Sequence, residues 1–292
     1  RAGVGSMIRF GSTLTINGIV VYVASNFEKV LLGRYWGAES IGIYGRAYQL
    51  IRIPTDTLTG SVGEVAFSAL SRLQNDPPRL RSYFLKGYSL VLALTLPATI
   101  ACAVLAPELI SVLLGPKWKE AAPIFRYLTP TILVFAIANP VSWLVMSIGW
   151  VMRGFKMSLV IAPVMIASYF VALPYGPKGV AFAYSTVMLL WLVPVTLWSV
   201  HGTAVSFKDV VSTVSRPLIA SLVAGVVAYG ACSGYGHEGH DVARLVIGGL
   251  TLTATYLVMI LYVMDQKSYY IDLLQNFTRR APVEATVVAT AQ

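Results

Sequence analysis

Apolar runs of about twenty residues recur along this chain with almost no charge inside them, and that pattern decides most of what it can become. A helix of roughly 20 residues crosses a hydrocarbon layer about 30 Å thick. Lipid offers no partner for backbone N–H and C=O groups, so a spanning chain must be helical or a closed barrel. The runs are too long and unbroken for barrel strands. The sequence therefore predicts an all-α polytopic membrane protein with about eight transmembrane helices. They fall near Met7–Leu32, Ser40–Leu70, Phe84–Leu105, Ala121–Ile148, Ser158–Leu173, Val180–Val200, Pro217–Ala231 and Leu245–Val263.

Composition excludes several alternatives. Of 292 residues, 56% are hydrophobic and 12% are charged, with a mean hydropathy of +0.69. Soluble domains carry roughly a quarter charged residues, so this chain lacks the polar surface that a water-soluble globule needs. The net charge of +9 would raise nucleic acid as a partner in a soluble protein. No basic patch interleaved with aromatics supports that here, and basic residues gathering in cytoplasmic loops account for the excess. Cys102 and Cys232 sit in or beside separate apolar runs and suggest neither a disulfide framework nor a metal site. His201, His237 and His240 show no metal-ligand spacing. With no glycine-rich phosphate loop and no Ser/His/Asp arrangement, no catalytic residue, metal or cofactor is expected. The chain begins at Arg1 rather than Met, without a signal peptide, and is expected to be a piece of something longer.

The links are short and rich in turn residues: Gly33–Gly37, Asn75–Pro78, Gly115–Lys119 and Tyr175–Gly179. Glu108–Leu114 and Phe207–Val214 are too brief to cross and read as interfacial helices. Residues 265–292 read as a disordered tail. Loop charge sets the orientation. Arg72, Arg79, Arg81 and Lys86 cluster between the second and third spans. Placing that loop in the cytoplasm puts both termini there too.

A second group of charges lies where lipid should be. Glu28 and Lys29 fall in the first span, and Arg46, Arg52, Asp56 and Glu64 along the second. Each would cost about 3 kcal/mol at the bilayer centre, so such groups face a partner or a wet interior. At 3.6 residues per turn, Gly42, Arg46, Gln49, Arg52, Asp56, Gly60 and Glu64 form one stripe. Thr13, Asn17 and Glu28 share a face of the first helix, which suggests that the two stripes line a common hydrated chamber. Two readings stand. Arg52 with Asp56, or Glu28 with Arg46, could simply neutralise each other. Alternatively Arg46, Arg52 and Gln49 contact substrate, since a guanidinium fork fits phosphate oxygens and stays charged. On that reading Glu28, Lys29, Asp56 and Glu64 serve as ion-pair or coupling groups. Pro54, which removes a backbone hydrogen bond mid-helix, serves as a hinge.

The ordered segments Asn26–Arg34, Gly37–Tyr44 and Arg46–Leu50 resemble those of the bacterial polysaccharide transporter family. So do Pro54, Phe67–Gln74, Ala106–Leu109, Leu113–Trp118 with Ala121–Pro123, and Gly176–Ala181. These are Wzx-type flippases of the multidrug/oligosaccharidyl-lipid/polysaccharide superfamily. The resemblance implies a MATE-like fold in which residues 1–200 form the second six-helix lobe. Residues 201–264 would add an interfacial helix and two extra helices. It implies a transporter, not an enzyme, that moves undecaprenyl-diphosphate-linked oligosaccharide across the bacterial plasma membrane by alternating access. Its partners would be that lipid-linked substrate, membrane lipid and a polysaccharide polymerase or export complex. Where the family often has Asp-Asn, this chain has Glu28-Lys29. Rival readings are a MATE-like cation antiporter, whose cavity should be acidic, a membrane enzyme, which should have a long outer loop, and a non-transporting scaffold.

Overall fold

A computed structural model describes residues 2–57, 62–234, 241–264 and 266. Helix α1 (Ala2–Thr57) contains one non-helical residue, Gly37, at φ 81° and ψ 178°. Only glycine adopts that combination without strain, so the sequence marks the break itself. Then come α2 (Gly63–Arg72), α3 (Pro77–Val104) and the short α4 (Ala106–Leu114). Beyond a 3-10 turn lie α5 (Ala121–Leu128), α6 (Pro130–Ser147), α7 (Val151–Ala172), α8 (Gly176–Val200), α9 (Phe207–Ser233) and α10 (Asp241–Val258), which ends in a π turn. The described residues contain no strand.

Five stretches are long and apolar enough to cross a membrane, and one of them, Val151–Val200, holds both α7 and α8. The first predicted span and the start of the second fall on the two arms of α1 on either side of Gly37, which are not among those five. Large apolar side chains on the outer surfaces of the five, such as Val171, Leu190 and Val226, are 72–75% exposed and belong against lipid. The protein is an all-α polytopic membrane protein.

One expectation is corrected. Phe207–Val214 is no separate interfacial helix, because α9 continues through Pro217 to Ser233. Proline removes one backbone bond, and a helix packed against neighbours absorbs the loss. The start of α9 is fixed by a capping box in which Ser206 and Asp209 bond each other's backbone. The tail expected over 265–292 lies outside the described residues, Gln266 apart.

Three apolar clusters hold the helices together. The first joins α1, α4, α5, α7 and α8 around Leu32, Ile51, Leu128 and Tyr169. The second joins α2, α3, α6 and the start of α9 around Leu92, Leu96 and Leu144. The third joins α9 and α10. Small residues line α9: Ala220, Ala224 and Ala228 are fully buried in the third cluster with Leu252 and Tyr256 of α10. A Cβ on Gly225 would stand 2.4 Å from Ile100 Cγ2. The end of α8 is capped from α7, where Arg153 Nη1 donates to the carbonyls of Trp198 (3.0 Å), Ser199 (3.3 Å) and His201 (2.7 Å). These are carbonyls a helix terminus leaves unpaired.

Beside the start of α3, Arg81 donates twice to Asp209, at 2.9 and 2.6 Å, tying α3 to α9. The Arg81 guanidinium holds the Asp209 carboxyl well below the usual carboxylate range, aided by hydrogen bonds from Ser206. A depressed folded-state value makes the stabilisation complete above the unfolded carboxylate value of about 3.9 and removes it as pH falls further. The stability lost in Asp209→Asn should therefore be constant from pH 7 to about 5 and shrink below about 4. Thermal unfolding of both proteins across that range checks it, and a gap that widens on acidification would contradict it.

Candidate functional site

The second arm of α1 divides cleanly by face. Tyr44, Ala47 and Ile51 are buried against the first cluster. Arg46, Gln49, Arg52 and Asp56 lie on the opposite, exposed side, and Glu64 on α2 is exposed as well. The stripe is real, and its groups touch one another. Arg46 Nη1 donates to Gln49 Oε1 at 3.2 Å, and its guanidinium stands 5.6 Å from the ring centre of Trp118. Arg52 pairs with Asp56 at 3.0 Å, with both side chains more than half exposed. Both the paired geometry and the free surface are present, so these contacts leave each guanidinium with donors to spare.

The first arm does something else. Thr13 is buried, Asn17 accepts a hydrogen bond from Ser158 of α7 at 2.6 Å, and Glu28 is only 1% exposed. Its polar face points into the lobe, against α7, so the two stripes do not share one chamber. The reason is the break at Gly37: helical phase is lost there, and a 3.6-residue count cannot be carried across it. Nor does Glu28 pair with Arg46. Neither of its carboxylate oxygens has a hydrogen-bond partner. Pro54 lies inside α1, whose departure from helical backbone is at Gly37.

Around Glu28 the fold assembles tyrosines that sequence reading did not connect. Glu28 interacts electrostatically with Tyr44, Tyr48, Tyr169 and Tyr184. Tyr44 and Tyr48 stack at 6.2 Å, Tyr48 meets Tyr184 edge-on at 6.3 Å, and Tyr184 stacks with Tyr169 at 6.4 Å. The hydroxyls of Tyr44 and Tyr169 are buried without hydrogen-bond partners. Lys29 donates to Asn26 Oδ1 at 2.8 Å and lies 4.9 Å from the Tyr48 ring centre. Three unsatisfied polar side chains in one buried cluster are rare, because each costs its desolvation without return. The i, i+4 spacing of Tyr44 and Tyr48 was visible in the sequence; the partners on α7 and α8 were not. Among the described residues no group of His, Cys, Asp and Glu could hold a metal ion.

This arrangement of helices has known counterparts. A family profile described as "Polysaccharide biosynthesis protein" matches residues 1–123. The lipopolysaccharide biosynthesis protein WzxC of Escherichia coli (strain K12) is 27% identical over 236 residues, 78% of this chain and 47% of that protein. The teichuronic acid biosynthesis protein TuaB of Bacillus subtilis (strain 168) is 22% identical over 229 residues, with the same shares. In fold, the chain is similar to the lipid II flippase MurJ in its inward closed conformation. The TM-score is 0.67 at 19% identity, over 89% of this chain and 53% of that one. The profile and these relatives make the chain similar to proteins of polysaccharide biosynthesis, and the MurJ likeness is one of fold. The chain spans about half the length of the curated relatives it matches.

Proposed function

We propose that this chain forms one lobe of a flippase that carries undecaprenyl-diphosphate-linked oligosaccharide across the bacterial plasma membrane. Residues 1–200 are the second six-helix lobe, residues 201–264 the appended helices and residues 265–292 a cytoplasmic tail, with both termini in the cytoplasm. A partner lobe faces the stripe, and the two rock about a midplane site in alternating access.

The observation that carries this reading is the exposed row Arg46, Gln49 and Arg52 on the face of α1 opposite the buried Tyr44, Ala47 and Ile51. A diphosphate entering a low-dielectric path needs fixed counter-charge, and planar guanidinium groups supply it bidentately. Asp56 holds Arg52 in place until substrate competes for it. Glu28 is the coupling group. A charge there has no hydrogen-bond partner, so uptake or loss of a proton biases the packing of α1 against α7 and α8.

The test is Arg52→Ala in the full-length protein. Exposed ion pairs contribute about 0–1 kcal/mol, so the variant should reach the membrane at normal levels. Polysaccharide export should fall to background, and export at the unaltered rate would refute the assignment.

A further inference from the structure

A second feature of the fold stands apart from the stripe and does not depend on its role. Between α5, α7 and α8 lies an open groove with a volume of about 790 Å³. Its walls are Val171, Phe182 and Val187, and its floor is made of the small residues Ala172, Gly179 and Ala183. Val171 is 75% and Phe182 58% exposed. Two hydroxyls reach the floor, but both are already spent. Ser168 donates to the Met165 carbonyl at 2.7 Å and Thr186 to the Phe182 carbonyl at 2.8 Å. Whatever fills the groove is therefore apolar over most of its length.

Its mouth differs. Lys178 is the one charged residue of the lining. It is exposed and forms no ion pair among the described residues. Tyr127 and Tyr175 flank it, amphipathic rings of the kind that mark a membrane–water interface. The mouth is built rather than loose. Trp36 Nε1 donates to the Leu173 carbonyl at 2.9 Å, and a Cβ on Gly176 would meet the same indole at 3.3 Å. Gly176 sits at φ 69°, which a larger residue would resist. Across the groove, Ser185 donates to the Tyr127 carbonyl, pinning α5 to α8.

We propose that this groove is a binding site for an anionic membrane phospholipid, with an acyl chain along Val171, Phe182 and Val187 and the phosphate at Lys178. Charge decides between amphiphiles. A single ammonium matches a phosphodiester with one negative charge, whereas a diphosphate calls for more than one cation. A lipid held there would brace the α7–α8 turn against the Gly37 break in α1 from the membrane side.

The full-length protein, extracted in detergent and examined by native mass spectrometry, tests this with phosphatidylglycerol and phosphatidylethanolamine as probes. One phosphatidylglycerol should be retained under conditions that strip phosphatidylethanolamine. Lys178→Ala should weaken retention roughly fivefold, the worth of one lysine beside anionic lipid. Lys178→Glu should abolish it, and Lys178→Arg should keep it. Ala183→Trp, which fills the floor, should also lose the lipid. The lysine variants are surface changes that leave the fold intact and decide the matter should the tryptophan not be tolerated. Equal retention of both lipids, no response to Lys178→Glu, or displacement of phosphatidylglycerol by undecaprenyl diphosphate would each overturn the proposal.

Discussion

Replacing Arg244 with alanine should destabilise the folded protein by about 3–5 kcal/mol, the cost of leaving one member of a buried ion pair without the other. Arg244 of α10 meets Glu108 of α4 at 3.1 Å, with side-chain exposures of 11% and 5%. The surroundings admit no easy relief. Ser111 bonds Asp241 at 2.5 Å one turn away along the same junction. A Cβ on Gly248 would stand 2.7 Å from both Cys232 Sγ and a Leu105 methyl. Thermal unfolding in detergent should show a large drop for Arg244→Ala and a comparable one for Glu108→Ala. The double variant Glu108→Met with Arg244→Leu should recover most of the loss, since apolar groups of similar volume commonly match a buried pair. A double variant as unstable as either single one would show that the junction depends on something other than charge balance.

The second large effect concerns function with the fold preserved. Glu28→Gln keeps the volume of a side chain that is 1% exposed and removes its carboxylate. The carboxylate makes no hydrogen bond that the amide would forfeit. Stability should be equal or higher, while export by the full-length protein should fall to background if Glu28 couples transport to a proton. That outcome separates the two sites. Arg52→Ala should lose binding of the lipid-linked substrate, whereas Glu28→Gln should retain it. Substrate binding measured on both variants, together with export, is the deciding comparison. Normal export by Glu28→Gln would remove Glu28 from the mechanism and leave the stripe untouched.

Placed together, the two sites suggest why the chain tolerates polar groups in lipid at all. Arg46 and Arg52 are exposed to whatever lies beyond the second arm of α1. Glu28 is buried, 1% exposed, in the packing of α1 against its neighbours. α1 carries both, on either side of one glycine.

The sequence by itself determined the spans, because hydrocarbon thickness and backbone hydrogen bonding leave a long apolar run no other option. It also determined which residues share a face within one helix. Arg46, Gln49, Arg52 and Asp56 fall on one side as their spacing requires. A helix beginning at Phe207 was legible, although not that it would continue past Pro217. Only the tertiary structure decided where each face points. Thr13, Asn17 and Glu28 turn inward while the second stripe turns outward, because helical phase resets at Gly37 and burial is set by α7 and α8. The interaction of Glu28 with Tyr169 and the pairing of Glu108 with Arg244 join residues more than a hundred positions apart. Such contacts are fixed by helix packing, which local periodicity does not encode.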